Sequence, residues 1–243
     1  MCTRLTIDEG NSSTKIALWR DGVIRAECTC REGTPEHIRQ VAGNLLPVDA
    51  LIFCTVCRRD RARTEATLAP FARKIIYLDA QTPLPIANDY RSPQTLGSDR
   101  IAGAIGAWTL HPDRTSLVVD MGTAITYDVV TADGRYIGGN IAPGIFVRLE
   151  ALEHFTSALP AVETDGDVPR WGYDTETAMR AGCVRGVVGE LQYYRHCLDP
   201  EATVVLTGGS ADLITPFISS PVTVEPNLVL IGLNRIIDYN ENT

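Results

Sequence analysis

Leu5-Thr6-Ile7 alternates apolar and polar positions and runs into the polar cluster Asp8-Glu9-Gly10-Asn11, beyond which Lys15-Ile16-Ala17-Leu18-Trp19 resumes an extended pattern. Asp21-Gly22 then closes a hairpin, because both central positions of a two-residue turn accept positive φ, and Val23 to Cys28 form the outgoing strand. Three antiparallel strands open the chain. The same layout returns later. Ser116-Leu117-Val118-Val119 leads into Asp120-Met121-Gly122-Thr123, Thr126 to Val130 follow, and Asp133-Gly134 makes the next hairpin. Asp120 lies 112 residues after Asp8, as do Gly122 after Gly10, Thr126 after Thr14 and Asp133 after Asp21. Four coincidences at one offset indicate an internal duplication whose unit is a whole domain.

After its three strands the first half predicts a helix over 35–46, a buried strand over 50–55, an Arg-rich helix over 59–69 and a strand over 74–78. The second half predicts helices over 143–158 and 175–198, a strand over 203–206 and a closing helix over 228–239. His111-Pro112-Asp113-Arg114 reads as the seam, so the expected domains are 1–114 and 115–243. Both are α/β, each a mixed sheet opening in three antiparallel strands and flanked by helices. If the two share a cleft, both Asp-x-Gly turns face it, and ligands favour such positions.

Composition narrows the function. With 22 Lys plus Arg against 30 Asp plus Glu, the net charge of the 243-residue chain is −8, which argues against nucleic acid and anionic membranes as partners. No apolar run approaches the roughly 18 residues of a membrane helix. Seven cysteines, an odd number, and a start without a signal-like segment suit a reducing compartment, and the chain is expected in the cytoplasm.

The turn Asp8-Glu9-Gly10-Asn11-Ser12-Ser13-Thr14-Lys15 combines a glycine that opens backbone N–H groups to an anion, hydroxyl donors and a cationic side chain. It suits a polyphosphate, and Asp8 beside phosphates calls for Mg²⁺, bound directly or through water. A hairpin turn rich in its usual residues is the plainer reading, which the second copy at Asp120 to Thr123 weakens. It is not a P-loop, since that loop joins a strand to a helix. Thr207-Gly208-Gly209 follows a buried strand and precedes a helix. A Gly pair there serves as a plain turn, or lets adenine or ribose lie against backbone. Tyr90 to Arg100 leads into a helix lined with Ala102, Gly103, Ala104, Gly106 and Ala107, small enough for close packing. Asp99 in its first turn either complements the helix dipole or serves as general base for a hydroxyl, with Arg100 as clamp for an anionic substrate.

Taken together these residues resemble the type III pantothenate kinase family of the acetate kinase, sugar kinase and actin superfamily. The matching elements are Asp8 to Lys15, Tyr90 with Pro93, Leu96 to Arg100, Asp120 to Thr126, Gly138-Gly139-Asn140-Ile141-Ala142-Pro143-Gly144, and Thr207 to Gly209. The resemblance implies a duplicated ribonuclease H-like, actin-like ATPase fold and ATP-dependent phosphorylation of pantothenate at the head of coenzyme A biosynthesis. ATP would lie along Asp8 to Lys15, at Thr123 and at Gly208 and Gly209. Pantothenate would be held by Tyr90, Gly97, Ser98, Asp99 and Arg100, with Asp99 as proton acceptor. Asp120 would ligate a monovalent cation, K⁺ or ammonium, and Thr175 would complete the pantothenate site at a homodimer interface. Ser12 stands in place of the commoner Thr, Ile125 falls inside the second phosphate loop, and Asp174 replaces the usual Asn before Thr175. The alternatives are a non-catalytic nucleotide-binding regulator of the same family and another small-molecule kinase of the superfamily. The presence of Asp99, Arg100 and Asp120 speaks against the regulator.

Other chemistry-bearing residues read more simply. Cys54 and Cys57, with Cys28 and Cys30, lack the paired spacing of a zinc site and lie on apolar strand patterns, where cysteine acts as a small hydrophobe. His37, His111, His154 and His196 form no i, i+4 pair. Arg58, Arg59, Arg61 and Arg63 read as a solvated helix start.

Overall fold

The structure is a computed structural model that describes residues 2–31 and 35–242. Two compact units emerge. The first comprises residues 1–113, 130–137 and 227–243, the second 114–129 and 138–226.

The first unit is built on strands β1 (Thr3–Glu9), β2 (Thr14–Arg20), β3 (Val23–Cys30), β4 (Val48–Thr55) and β5 (Ala72–Tyr77) in the order β3-β2-β1-β4-β5. The first three are antiparallel, and β4 and β5 add in parallel. The β2–β3 turn carries positive φ at both Asp21 and Gly22, as the sequence required. Helices α1 (Pro35–Ala42) and α2 (Arg61–Leu68) cross between the parallel strands. They close an apolar core of Leu5, Ile7, Ile16, Leu51, Phe53 and Leu68 on one sheet face. On the other face lie α3 (Ser98–Leu110) and the closing helix α7 (Leu228–Asn242).

The small residues of α3 are there for α7. A β-carbon at Gly232 would strike the Ala102 carbonyl, and one at Gly106 would strike that of Leu228. Only hydrogen at both positions lets the backbones meet this closely. The closing helix therefore packs in the first unit, whereas the duplication arithmetic places it in residues 115–243. The tip of the second hairpin also belongs here. Strand β6 (Ala87–Asn88) pairs with the start of β9 (Arg135–Pro143), and Arg135 grips Asp89 with two hydrogen bonds of 2.9 and 2.7 Å.

The second unit orders β7 (Ser116–Met121), β8 (Ala124–Val130), β9, β10 (Thr203–Thr207) and β11 (Thr223–Val224) as β11-β10-β7-β8-β9. Strand β10 runs parallel to β7 and β11. Helices α4 (Ile145–Phe155), α5 (Thr175–His196) and the short α6 (Ala211–Ile214) accompany the sheet. Leu117, Val119, Met121, Ile125, Leu149 and Val187 are among the residues of its core. Ile125 is thus a fully buried strand residue, and its place in the motif reflects packing. No helix among the described residues is long and apolar enough to cross a membrane.

Candidate active site

In the first unit the turn after β1 is closed by the Gly10 N–H donating to Ser13 O at 2.9 Å, with Asn11 and Ser12 exposed at its tip. Register decides what each flanking side chain can reach. Asp8 stands opposite Lys15 on β2 and beside Cys54 on β4, whereas Glu9 stands opposite Thr14. Successive strand residues face opposite sides, so Asp8 and Lys15 share one sheet face and Glu9 and Thr14 the other. Glu9 is buried and its carboxylate is engaged: Thr55 Oγ1 donates to Oε2 at 2.8 Å, and Arg59 donates from Nε at 3.0 Å and from Nη2 at 2.7 Å. Burial would raise this carboxyl, but hydrogen bonds from Arg59 and Thr55 and the Arg59 charge hold it below the usual carboxylate range. Thr14 Oγ1 is buried with no hydrogen-bond partner among the described residues. Of the eight turn residues expected at ATP, these two turn their side chains away from Asp8.

The Tyr90–Arg100 segment folds onto the Asp8 side. A short 3₁₀ turn (Pro93–Thr95) delivers Gly97 to the N-cap of α3. Ser98 Oγ donates to the Thr55 carbonyl at 2.9 Å and accepts from Cys54 Sγ at 3.2 Å, which ties the first turn of α3 to β4. Asp99 follows, its Oδ1 accepting from the Arg100 N–H at 2.8 Å. Arg100 is buried, with its guanidinium 5.8 Å from the Tyr90 ring centre, and Tyr90 in turn lies 6.1 Å from Tyr136. The Cys54 thiol is pushed up first by burial and then by the charge of Asp8, with Asp99 adding to it. It therefore stays protonated, a hydrogen-bond donor between two carboxylates and not a nucleophile. A cavity of about 330 Å³ opens beside this segment, lined in part by Thr55, Asn88, Leu96, Gly97 and Ser98.

The second unit builds its turn from three directions. Asp120, the last residue but one of β7, is in register with Thr207 of β10. Gly208, at φ +87°, brings its backbone against that turn: a β-carbon there would stand 2.5 Å from Asp120 Oδ1 and 2.6 Å from Met121 backbone. The Ser210 N–H donates to Met121 O at 3.1 Å. From the other side Gly144, the N-cap of α4, donates its N–H to Thr123 O at 3.0 Å. Asp120, Thr123 and Gly208 are thereby gathered, with Thr123 and Gly209 exposed. Thr175 opens α5 from an exposed position. Before it Asp174 is an N-cap, accepting from the Thr177 N–H at 2.8 Å and Thr177 Oγ1 at 2.7 Å, which lowers its carboxyl pKa. Asp caps a helix as well as Asn, so the departure at this position leaves the start of α5 intact.

Two residues of this region lie outside the sequence expectation. Cys54 reads as a plain strand hydrophobe and is indeed fully buried, yet it joins Asp8, Ser98 and Asp99. Arg59 reads as part of a solvated face and instead binds Glu9. Neither has a local signal, since each partnership spans 44 residues or more of chain. All seven cysteines are free, and no cluster of three or more His, Cys, Asp or Glu among the described residues forms a metal site.

Comparison with known proteins finds relatives over nearly the whole chain. The type III pantothenate kinase family model matches residues 4–196. A type III pantothenate kinase of Porphyromonas gingivalis is 37% identical over 249 residues, covering 99% of this chain and 100% of its own. Among solved structures, a protein of Campylobacter jejuni described as a Baf family transcriptional activator superposes with a TM-score of 0.67 at 19% identity, over 98% of this chain and 100% of its own. The activator of 2-hydroxyisocaproyl-CoA dehydratase from Clostridium difficile, solved with bound ADPNP, gives 0.58 at 13% identity, over 99% of this chain and 98% of its own. The two structural likenesses carry the fold, which is the duplicated, actin-like ATPase architecture. The match over most of the sequence carries more: the chain belongs to the type III pantothenate kinase family.

Proposed function

We propose that this protein transfers the γ-phosphoryl group of ATP to the primary hydroxyl of pantothenate, giving 4'-phosphopantothenate, the first step of coenzyme A biosynthesis. The observation that carries the reading is the placement of Asp99, at the head of α3, beside the same buried thiol that adjoins Asp8. A carboxylate so held suits a general base, and the neighbouring turn suits phosphate.

In this mechanism Asp99 accepts the proton of the attacking hydroxyl, and Ser98 and Cys54 fix the turn that presents it. Arg100 is buried in a stacked position against Tyr90, suited to a planar carboxylate. The amides of the Asp8–Lys15 turn and the Lys15 charge orient the phosphates, which is most of what phosphoryl transfer asks of a protein.

The donor chemistry fits the two cations expected. Asp8 offers one carboxylate on the Lys15 face, in keeping with an ion such as Mg²⁺ that takes its remaining ligands from phosphate and water. Asp120 brings a second carboxylate beside the Gly208 backbone, donor chemistry suited to K⁺ or ammonium. Bound there, these ions would supply neutralisation of phosphate charge. A homodimer in which Thr175 contributes to the substrate site, and a cytoplasmic location, complete the proposal on family likeness.

The test is ADP formation by the purified protein with pantothenate, sugars or acetate as acceptor, with and without K⁺. Pantothenate alone should support turnover, and K⁺ should raise it. ADP formation with a sugar or acetate and none with pantothenate overturns the reading.

A further inference from the structure

The sheet face covered by α1 and α2 in the first unit carries a cavity of about 420 Å³, separate from the Asp8 side of the sheet. Arg58, Arg59 and Arg63 line it over an apolar floor that includes Phe53 and Leu68. Its position follows from strand alternation: Glu9, which lines it, and Asp8, which adjoins Cys54, are successive residues of β1 and face opposite ways.

The charges in this cavity are not balanced. Its two carboxylates are both engaged, Glu9 by Arg59 and Thr55, and Asp60 as N-cap of α2, accepting from the Arg63 N–H at 3.0 Å. The guanidinium groups of Arg58 and Arg63 have no ion pair among the described residues. In a chain of net charge −8, two such arginines converging on one concavity are a local reversal of sign. The guanidinium fork matches phosphate oxygens in pairs, and the volume of about 420 Å³ falls in the range of small-ligand sites.

We propose that this cavity is a second anion site, recognising the phosphate or diphosphate group of a small molecule whose compact apolar part rests on Phe53 and Leu68. It lies outside the catalytic assignment. The test titrates inorganic pyrophosphate calorimetrically into the full-length protein already saturated with a non-hydrolysable ATP analogue, and compares wild type with the double variant Arg58→Ala/Arg63→Ala. The site predicts one pyrophosphate per wild-type chain, and an affinity at least ~10-fold weaker in the double variant, since charge-assisted bidentate bonds are lost. Analogue binding and the thermal midpoint should be the same in both proteins. No pyrophosphate binding to the nucleotide-saturated wild type overturns the proposal, as does equal affinity in the double variant. A failure of the kinase reading would show differently, as absence of analogue binding, and the comparison of the two proteins would still report on the arginines.

Discussion

The carboxylate of Asp99 occupies the space where a side chain at Gly97 would be: a β-carbon there would stand 2.5 Å from Asp99 Oδ1. The obstructing atom is the end of a flexible side chain, so Gly97→Ala is relieved by turning Asp99 away and not by unfolding the helix. The expected outcome is a fall in kcat of about tenfold or more, consistent with loss of general-base alignment, while the thermal midpoint stays within a few degrees of wild type. Steady-state kinetics beside a thermal melt separates the two effects. An unchanged kcat would mean that the Asp99 position is immaterial.

At Gly208 the same substitution should act through stability. The residue sits at φ +87° with Met121 backbone 2.6 Å from the β-carbon position, and backbone does not swing aside. Left-handed strain on a non-glycine residue costs roughly 1–3 kcal/mol before any clash is counted. Gly208→Ala should therefore lower the denaturation midpoint clearly, and activity with it. Chemical denaturation checks this.

The pairing of buried Glu9 with the solvent-exposed Arg59 predicts an acid-sensitive component of stability. The folded-state pKa of Glu9 lies below its unfolded value, near 4.3, so the ionised form is favoured by folding. Its stabilisation is complete above that value and is lost as pH falls through the folded pKa. Glu9→Gln should cost about 1–2 kcal/mol at neutral pH, the scale of hydrogen bonds to a charged group reduced by solvent screening at the half-exposed Arg59. Its stability should also decline less steeply than that of wild type below about pH 4.3. Urea unfolding as a function of pH measures both, and parallel acid limbs would contradict the assignment.

Gly232 and Gly106 predict a fourth behaviour, loss of helix packing away from the site. Gly232→Ala drives a methyl group into the Ala102 carbonyl and the Gly106 nitrogen, and overpacking of this kind costs about 1–3 kcal/mol. Thermal melts should show a lower midpoint, and the protein that remains folded should keep the wild-type KM for ATP.

Much of the fold was legible because its signals are local. Period-two alternation and Asp-Gly turns mark the opening strands of each half, and the 112-residue offset marks the repeat. The small side chains of α3 announced a close helix contact but could not say with what; α7 answers from more than 120 residues away. Strands β6 and β11 have two residues each, too few for any period to show. In the site, Asp8, Asp99 and Asp120 stood out by residue type and spacing. The side on which Glu9 and Thr14 fall needed the β1–β2 register, and the partners of Cys54 needed the β1–β4 pairing.

The most direct measurement of the central claim follows the phosphoryl group itself. Wild type and Asp99→Asn are supplied with γ-labelled ATP and pantothenate, label transferred to pantothenate is quantified, and binding of a non-hydrolysable ATP analogue is measured alongside. The account predicts labelled phosphopantothenate from wild type, a rate at least ~10²-fold lower from Asp99→Asn, and equal analogue binding by both. Near-wild-type transfer by Asp99→Asn would contradict the role of Asp99, and absence of labelled product from wild type would contradict the activity.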